Sequence, residues 1–537
     1  MIKNMKQKYF ILAVFSITLA LFQTSCDDYL DEVPDNRSEL DTPAKIASFL
    51  TSGYPSHLFQ VMTEYASDNV DHRTLPANLS VPFKNIEDMY LWGPSIDATG
   101  NDSPKSVWES FYGAIAVANQ ALKSIEDLGN GESLNPQKGE ALMIRAYCHF
   151  TLVNIFSLQY NSKTADTDMG IPFLDKPETL LNPHYERGSV AEVYEKIEKD
   201  IERGLPLIDD NAYASATKYH FNRRASYALA ARFYLYYGKY DLAIKYANEA
   251  LAPNEDKILR DMTVFPTLVN DVQIYCREWV NPINNCNFLI FSAYSTAGTV
   301  FNNYATGKLY QHTRLLAETE TVRSKGPWNQ NVFATNDWYH KSSLYTSSGY
   351  IVYPKIPYIF QYTDQIAGTG YARTIYPAFT ADEILLVRAE ASIIKEDYEN
   401  ATKDLDKWMN RHFTTKVNLT RELINSYYGN LAYYKPEAPT PKKALNPLNF
   451  TISSPEQENY LQCLLHFRRI ETVFEGLRWF DVKRFGIEIY RRDVSNNSNG
   501  DTFEATTDKL TLDDPRRAIQ LPEDVISAGL PANPRNK

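Results

Sequence analysis

The sequence is short of glycine and, after its first 26 residues, lacks any long apolar run. Glycine supplies 22 of the 537 residues, whereas average usage near 7% would give about 38. Scarce glycine, together with many helix-forming runs, favours an α-rich fold. No later segment approaches the roughly 18 uninterrupted apolar residues of a membrane-spanning helix. The body of the chain is therefore predicted to lie outside the bilayer.

Positive charge is also scarce. The chain has 55 Lys and Arg against 66 Asp and Glu, a net charge of −11. Removing residues 1–25 would delete Lys3, Lys6 and Lys8 and no acidic residue, taking the net charge from −11 to −14. Nucleic-acid affinity rests on basic side chains that replace the counterions of the phosphates. The composition therefore argues against a nucleic-acid partner.

Signatures of catalysis and of metal binding are absent from the sequence. There is no GxxxxGK[ST] loop, HExxH pair or GxSxG elbow, and the nine histidines lack ligand spacing. The GTG fragment at Gly368 lacks the rest of a dinucleotide fingerprint. We therefore expect no catalytic residue, no metal and no cofactor. A glycosidase-like pair among the 66 acidic residues is the enzymatic alternative.

Five cysteines are present and none is in CxxC spacing, so a zinc ribbon or thioredoxin-type site is not indicated. Cys148 and Cys463 fall in apolar helical runs and are predicted to be small buried side chains. Cys276 and Cys286 could form a disulfide or remain free, because their separation permits either.

The N-terminus has the three-part layout of a secretory signal. Three lysines precede an apolar run from Tyr9 to Phe22, and Cys26 stands at the expected cleavage point. This arrangement resembles a bacterial lipoprotein signal, in which the cysteine is lipidated and anchored by acyl chains. We predict a signal peptide over 1–25 and lipidation of Cys26. An ordinary signal peptide with an incidental cysteine is the alternative, since Gln23 stands where such signals usually carry Leu.

An acidic linker follows the cysteine over residues 26–42. Asp27, Asp28, Asp31 and Glu32 lie within it. This patch resembles the surface-export signal of Bacteroidetes lipoproteins, and a solvated linker would have the same composition. We expect a single domain over 43–537.

Helical periodicity predicts a scaffold in two parts, 107–252 and 381–486. Within the first part, helices are expected over Val107–Leu128 and Gln137–Leu158, the second of them buried. Ser189 and Glu192 form a capping box at the start of another helix. A shorter helix is expected earlier, at Pro43–Tyr54.

Two helix pairs in this scaffold have tetratricopeptide-like spacing. In the first, Gly238 permits a tight turn before Tyr240 and Ala243. The interval recurs at Tyr398, where Glu396 replaces the turn glycine. An insertion at about 253–380, rich in polar and aromatic residues and low in helical periodicity, separates the pairs and is expected to form a loop-rich binding lobe. The tail, 487–537, is predicted to be extended.

The segment FRRIETVFEGLRWFDVKRFG (467–486) combines an apolar stripe with regularly spaced charges. Its charged residues recur at three- and four-residue spacings, which suits a chain of ion pairs along one helix: Arg468, Glu471, Glu475, Arg478 and Asp481. We expect this series to stabilise the fold rather than to form a site.

Several segments in order resemble the SusD/RagB family of Bacteroidetes nutrient-binding lipoproteins. They are the start CDDYLDEVP, the helix ALMIRAYCHFTLVNIFS, the repeat pairs, the block RRIETVFEGLRWFDVKRFG and the ending LPEDV…NP. The resemblance implies a mainly α fold, with tetratricopeptide-like helix pairs forming an α-α superhelix beside a loop-rich ligand-binding lobe. It also implies a lipid-anchored protein on the outer face of the outer membrane.

The resemblance implies the partners as well. Such a protein captures a glycan and delivers it to a SusC-like TonB-dependent transporter, which the helical side would face. Capture of peptides, or a mainly structural role as a lid of the same kind of complex, is the alternative.

Sugar rings present apolar C–H faces that stack on aromatic side chains, while their hydroxyls need polar partners. Aromatic residues in irregular segments are therefore the candidate glycan contacts: Tyr90, Trp92, Trp328, Trp338 and Tyr339. Asp68 and Arg73 are polar candidates, since the resemblance places them in a loop region that contacts starch in relatives. Ordinary packing is the competing interpretation for each aromatic residue. Trp108, Trp408 and Trp479 lie on predicted helices and are expected to be structural.

Overall fold

The computed structural model describes residues 40–75, 84–94, 100–180, 183–213, 216–302, 309–328, 338–345, 350–497 and 500–535. The predicted signal peptide, Cys26 and the acidic patch behind it lie outside the described residues. Helices dominate the described chain. In chain order they are α1 (Pro43–Leu50), α2 (Gln60–Ala66), α3 (Lys84–Tyr90), α4 (Pro104–Asp127), α5 (Asn135–Phe156), α6 (Val190–Gly204), α7 (Arg223–Tyr237), α8 (Tyr240–Leu251), α9 (Glu255–Ile258), α10 (Val272–Trp279), α11 (Ala297–Phe301), α12 (Arg314–Glu320), α13 (Ala381–Ile394), α14 (Tyr398–His412), α15 (Arg421–Asn430), α16 (Pro455–Glu471), α17 (Arg478–Arg484) and α18 (Glu523–Ser527).

The strands of the described chain form three small sheets. They are β1 (Asp71–Leu75), β2 (Asn287–Tyr294), β3 (Tyr310–Gln311), β4 (Ser343–Tyr345), β5 (Tyr350–Val352), β6 (Ile359–Asp364), β7 (Thr369–Thr380), β8 (Ile489–Asn497) and β9 (Gly500–Leu510). One sheet has the order β3-β1-β8-β9, a second has the order β2-β7-β6, and β4 pairs with β5. β1 and β8 run parallel, and the other pairs are antiparallel.

The long helices pack side by side into the predicted scaffold. α4 packs against α5, and α5 packs against α6. The two tetratricopeptide-like pairs stack directly through α8 and α13, although a long insertion separates them in the sequence. The expected mainly α fold with tetratricopeptide-like pairs is therefore confirmed. α5 is buried on every face from Gly139 to Phe156, as its apolar residues predicted.

The predicted capping box and the predicted burial of three helical tryptophans are both confirmed. The Ser189 side chain accepts from the backbone of Glu192, and the Glu192 side chain accepts from the backbone of Ser189, so the capping box is confirmed. Trp108, Trp408 and Trp479 are at most 7% exposed, which confirms their structural role. The first helix is shorter than predicted and ends at Leu50.

The cysteines that the structure describes form no disulfide. Cys276 and Cys286 are both buried free thiols, as are Cys148 and Cys463. The Cys276 thiol lies 3.6 Å from the side-chain oxygen of Asn302. Burial raises the pKa of Cys286 to about 11, so the thiol is neutral at ordinary pH.

The two repeat turns share one backbone geometry. Gly238 ends α7 with φ of 80°, and the Lys239 N–H donates to Tyr234 O at 2.9 Å. In the second pair Glu396 takes φ of 62°, and the Asp397 N–H donates to Ser392 O at 2.9 Å. The left-handed conformation suits glycine and strains a residue that has a Cβ. Glu396 therefore adopts a glycine conformation at the position where the first pair has glycine.

Replacing Glu396 with Gly is expected to raise the free energy of unfolding by about 0.5–1 kcal/mol, because it removes left-handed strain from an exposed turn. Gly238→Ala is the reciprocal variant and should lower the free energy of unfolding by about 1 kcal/mol. A Cβ at Gly238 would meet nothing closer than Asn449 at 3.6 Å, so strain alone is tested. Denaturant unfolding of the three proteins measures both effects, and equal midpoints would contradict the assignment.

The insertion and the tail contain more strand than the sequence predicted. β2, β6 and β7 form a sheet within the insertion; β7 packs against α7 and α13, and its buried residues are concentrated in its second half. In the tail, β8 and β9 form a hairpin that β1 joins from near the N-terminus. The GTG fragment spans the end of the turn between β6 and β7 and the first residues of β7, and Gly368 in the turn has φ of 66°.

The prediction of one helix with ion pairs along 467–486 is wrong. α16 ends at Glu471, and Phe474 and Gly476 have φ of 68° and 74° before α17 begins at Arg478. Left-handed backbone at two positions only two residues apart cannot continue a right-handed helix. Arg468 still pairs with Asp481 inside the segment at 3.2 Å, across the break between the two helices. Arg478 and Glu475 instead pair with Asp68 and Lys355, far away in the sequence.

Candidate functional site

Tyr90 and Trp92 pack around one buried arginine. The Arg491 guanidinium lies 4.2 Å from the Tyr90 ring centroid and 3.9 Å from that of Trp92. It also donates to the last carbonyls of α2, including Ser67 O at 2.7 Å and Ala66 O at 3.0 Å. Tyr90 is 1% exposed and Trp92 is 4% exposed. As placed, neither ring presents an open face for a sugar, and a role in ligand contact stays a prediction.

Asp68 lies in a buried network of charges. Its carboxylate accepts from Arg478 Nε at 2.8 Å and from Nη2 at 3.0 Å. Arg469 and Lys443 lie 3.5 and 3.7 Å from the same carboxylate. Burial opposes ionisation of Asp68, but these three cations outweigh it and hold the pKa well below its usual value. The geometry is that of a fold-stabilising carboxylate.

Arg73 is likewise paired inside the protein. Its guanidinium donates to the Asp501 carboxylate at 2.7 and 3.3 Å, and both side chains are at most 1% exposed. This pair ties β1 to the start of β9. As placed, Asp68 and Arg73 both serve the framework, so contact of either with a ligand stays a prediction.

Trp328 and Trp338 are brought together around Phe413. Their ring centroids lie 4.5 and 4.1 Å from the Phe413 ring and 6.0 Å from each other. Both indoles are 4% exposed. Tyr339 is half-buried, with the Lys416 ammonium 5.0 Å from its ring. Of the five aromatic candidates, Tyr339 is the most accessible side chain.

The most accessible aromatic surface of the described insertion lies on the β6–β7 hairpin. Tyr371 is 52% exposed and Tyr362 is 55% exposed, and both lie in the part of the hairpin that precedes the buried second half of β7. Tyr371 pairs directly with Gln361, and Arg373 pairs with Ile359. Since paired residues share a face of a sheet, these four side chains lie on one side of the hairpin.

This face continues onto β2 and the loop before α2. Tyr294 pairs with Arg373, and its ring lies 5.5 Å from that of Tyr371. The His57 ring lies 5.5 Å from the Tyr294 ring. We call the set of His57, Tyr294, Gln361, Tyr371 and Arg373 the hairpin surface.

Polar groups are fixed between the rings of the hairpin surface. The Arg373 guanidinium lies 4.4 Å from the Tyr294 ring centroid and donates to Gln361 Oε1 at 2.7 Å. Burial lowers the pKa of His57, so its imidazole is neutral at ordinary pH. Aromatic faces flanked by an amide, a guanidinium and an imidazole suit a ligand with both apolar faces and hydroxyl groups.

The opposite face of the hairpin has a different composition. Phe360 and Tyr362 meet edge to face at 4.8 Å there. Tyr362 pairs with Gly370, where a Cβ would collide with the Gln361 carbonyl. This face therefore offers an exposed tyrosine without the guanidinium of the other side.

The comparisons with known proteins give the family. Residues 28–235 match a SusD-like model described as starch-binding associating with outer membrane, and residues 293–523 match the SusD family model. The chain belongs to the SusD/RagB family. No curated protein matches.

Solved structures agree with the family's fold. A proposed sugar-binding protein from Bacteroides vulgatus ATCC 8482 has a TM-score of 0.65 and 20% identity, over 93% of this chain and 99% of that one. A SusD superfamily protein from Bacteroides thetaiotaomicron VPI-5482 has a TM-score of 0.60 and 17% identity, over 92% and 100%. A SusD-like carbohydrate-binding protein from B. vulgatus ATCC 8482 has a TM-score of 0.56 and 15% identity, over 91% and 96%.

Within the residues that the structure describes, no helix of this SusD/RagB protein has the length and hydropathy to cross a bilayer.

The sequence carries a local signal for the hairpin surface in the two segments that form β6 and the start of β7. FQYTD and TGYART alternate around a turn containing Gly368, which is typical of a hairpin, and the alternation places Tyr371 opposite Gln361. The addition of Tyr294 and His57 depends on long-range pairing, which no local signal predicts.

An apolar cavity of about 380 Å³ lies elsewhere in this SusD/RagB protein, between α4 and the C-terminal tail. Trp108, Tyr112 and Tyr185 supply aromatic walls, and Val525 and Leu530 close the tail side. The Tyr112 hydroxyl donates to Pro172 O at 2.7 Å. The cavity therefore offers mainly apolar contact.

Proposed function

We propose that this protein binds a glycan at its hairpin surface and passes it to a SusC-like TonB-dependent transporter. The observation that carries the glycan assignment is the exposed Tyr371 ring beside the guanidinium of Arg373 and the amide of Gln361. Solved relatives described as carbohydrate-binding support the ligand class, and membership of the SusD family supports a role in binding rather than catalysis.

The hairpin surface meets the two requirements of a sugar site. Tyr371 and Tyr294 meet edge to face at an interplanar angle of 73°, so they present rings in two orientations. Such an arrangement suits a chain of sugar rings better than a single flat ring. The bond of Arg373 to Gln361 holds both polar groups in place before a ligand arrives, which lowers the entropic cost of binding.

The cellular part of the proposal rests on the N-terminal sequence. Lipidation of Cys26 would attach the protein to the outer membrane, and the acidic patch behind it supports exposure to the exterior. The stacked helix pairs supply the helical side on which we propose that the transporter is held. Globomycin, which blocks processing of lipoprotein signals, should leave the precursor uncleaved; unchanged processing would contradict lipidation.

Replacing Tyr371 with Ala is expected to weaken glycan binding about tenfold, because the variant loses a stacking ring. Tyr362→Ala is the matched control, since that ring is equally exposed on the other face of the same hairpin. Affinity electrophoresis of the chain from Asp27 onward against a panel of host and plant glycans first identifies the ligand. Equal losses in both variants, or no loss in Tyr371→Ala, would place the site elsewhere.

Capture of a peptide is the second candidate function, and the apolar cavity near Trp108 favours it. A cavity of about 380 Å³ lined by Tyr112, Tyr185 and Leu530 suits an apolar side chain. Tyr185→Ala would then abolish peptide binding and leave glycan binding unchanged. Binding of peptides but of no glycan in the panel would favour this function over the first.

A further inference from the structure

A cleft of concentrated positive charge lies at the start of α7. It has a volume of about 380 Å³ and is lined by the cationic side chains of Lys218, Arg224 and Lys257, with Asp210 as the single carboxylate among its described lining residues. The chain as a whole has a net charge of −11. The cleft is therefore positively charged, whereas the protein as a whole is negatively charged.

Among the described residues, no carboxylate is bound to the cations of this cleft. The Lys218 ammonium donates to the backbone carbonyl of Asn284 at 2.5 Å. Asp210 uses one carboxylate oxygen to accept the backbone N–H of Arg223 at 2.7 Å. Within the part of the chain that the structure describes, neither Arg224 nor Lys257 makes a side-chain hydrogen bond or ion pair. Their donors are thus available to a ligand.

Electrostatics within the cleft favours an incoming anion. Burial lowers the pKa of Lys218; the neighbouring Cys286 opposes this shift, and the charge of Arg224 adds to it. Burial likewise lowers the pKa of Arg224, and Asp210 only partly offsets this. Two cations that repel each other in a partly desolvated cleft are stabilised when an anion binds between them.

The remaining lining groups indicate what carries the anion. Asn254 and Asn285 expose amides at the cleft, and amides donate to and accept from hydroxyl groups. A guanidinium binds carboxylate or sulfate through two parallel hydrogen bonds. We propose that this cleft binds the oxyanion of a hydroxylated ligand, an acidic sugar that bears a carboxylate or a sulfate.

This site is separate from the hairpin surface. Asn287 lines the cleft at one end of β2, and Tyr294 lies at the other end. The strand takes seven residue-to-residue steps from Asn287 to Tyr294, and at about 3.3 Å each these place the two sites about 23 Å apart. The proposal therefore does not depend on glycan binding at the hairpin surface.

Calorimetry on the chain from Asp27 onward, which contains every described residue, tests the proposal at low ionic strength. Glucuronate and glucose 6-sulfate are the two probes, and glucose is their neutral counterpart. Glucuronate, glucose 6-sulfate or both should bind, glucose should not, and added salt should weaken binding. Arg224→Gln should weaken binding about tenfold, because it removes a bidentate charged donor.

Arg223→Gln is the matched control, since Arg223 neighbours Arg224 on the same helix but does not line the cleft. It should leave the affinity unchanged. Lys257→Gln, at an exposed position, should repeat the loss and serves in place of Arg224→Gln if that variant unfolds. Absence of binding by both acidic sugars, equal binding of glucose, or equal losses in the Arg223 and Arg224 variants would overturn the proposal.

Discussion

Replacing Asp68 with Asn is expected to lower the free energy of unfolding by about 3–5 kcal/mol, because removing one partner of a buried ion pair leaves the other uncompensated. Arg478 would lose both of its hydrogen bonds to the carboxylate, at 2.8 and 3.0 Å. The side chains of Arg478 and Asp68 are 2% and 8% exposed, so water cannot replace the lost partner. Thermal and denaturant unfolding of the chain from Asp27 onward measure the loss.

The loss of stability caused by Asp68→Asn is expected to depend on pH. Burial disfavours the charged form of Asp68, yet Arg469, Arg478 and Lys443 hold its pKa well below 3.8 in the folded protein. A carboxyl group with a lowered folded-state pKa stabilises the fold above its unfolded pKa, and this contribution disappears as pH falls through the folded value. The difference in stability between wild type and Asp68→Asn should therefore narrow on acidification from about pH 5 toward about pH 2.

Asp41→Asn is the control for Asp68→Asn. Asp41 pairs with Lys45 at 2.7 Å, but both side chains are more than 40% exposed. Because solvent screens such a pair, Asp41→Asn should leave the melting temperature and the denaturant midpoint unchanged. The Asp68 experiment also separates two roles for this residue. A variant that melts like wild type but has lost glycan binding would contradict the structural role and restore Asp68 as a ligand contact.

The sequence predicted those parts of the fold that depend on neighbours along the chain. The Ser189 capping box involves residues three positions apart, and the turn at Gly238 is set by one residue's backbone freedom. The second pair was found through the interval beginning at Tyr398, even though Glu396 replaces the turn glycine. Helix type and order therefore follow from local patterns.

Spacing along the chain does not predict the ion-pair partners of several charged residues in 467–486. Spacing suggested partners within one helix, whereas Arg478 pairs with Asp68 and Glu475 with Lys355. Such partners lie more than 100 positions away, so no local pattern predicts them. Exposure was equally hard to predict, because Trp92 and Trp328 lie in segments that lack periodicity yet are 4% exposed. Loop position alone does not distinguish a stacking surface from a core residue.

Replacing Gly476 with Ala is expected to lower the free energy of unfolding by about 4 kcal/mol, through left-handed strain together with overpacking. Gly476 has φ of 74°, and a Cβ would lie 2.8 Å from Gln60 Cα and would also collide with the Thr63 hydroxyl. Backbone atoms of α2 cannot move aside as a flexible side chain can. The turn between α16 and α17 would have to shift, and thermal unfolding measures the cost.

The shift would also break the bonds that fix this turn. Glu64 is buried, and its carboxylate accepts the backbone N–H of Phe474 at 2.9 Å and of Gly476 at 3.1 Å. Burial raises the pKa of Glu64 to about 7, and these donors oppose the rise. Gly238→Ala is the control, because it imposes similar strain without a collision and should cost about 1 kcal/mol. Removing the Thr63 hydroxyl by Thr63→Ala should recover only part of the loss, since the clash with Gln60 Cα persists. Equal stabilities of the Gly238 and Gly476 variants would show that α2 yields to the added methyl group.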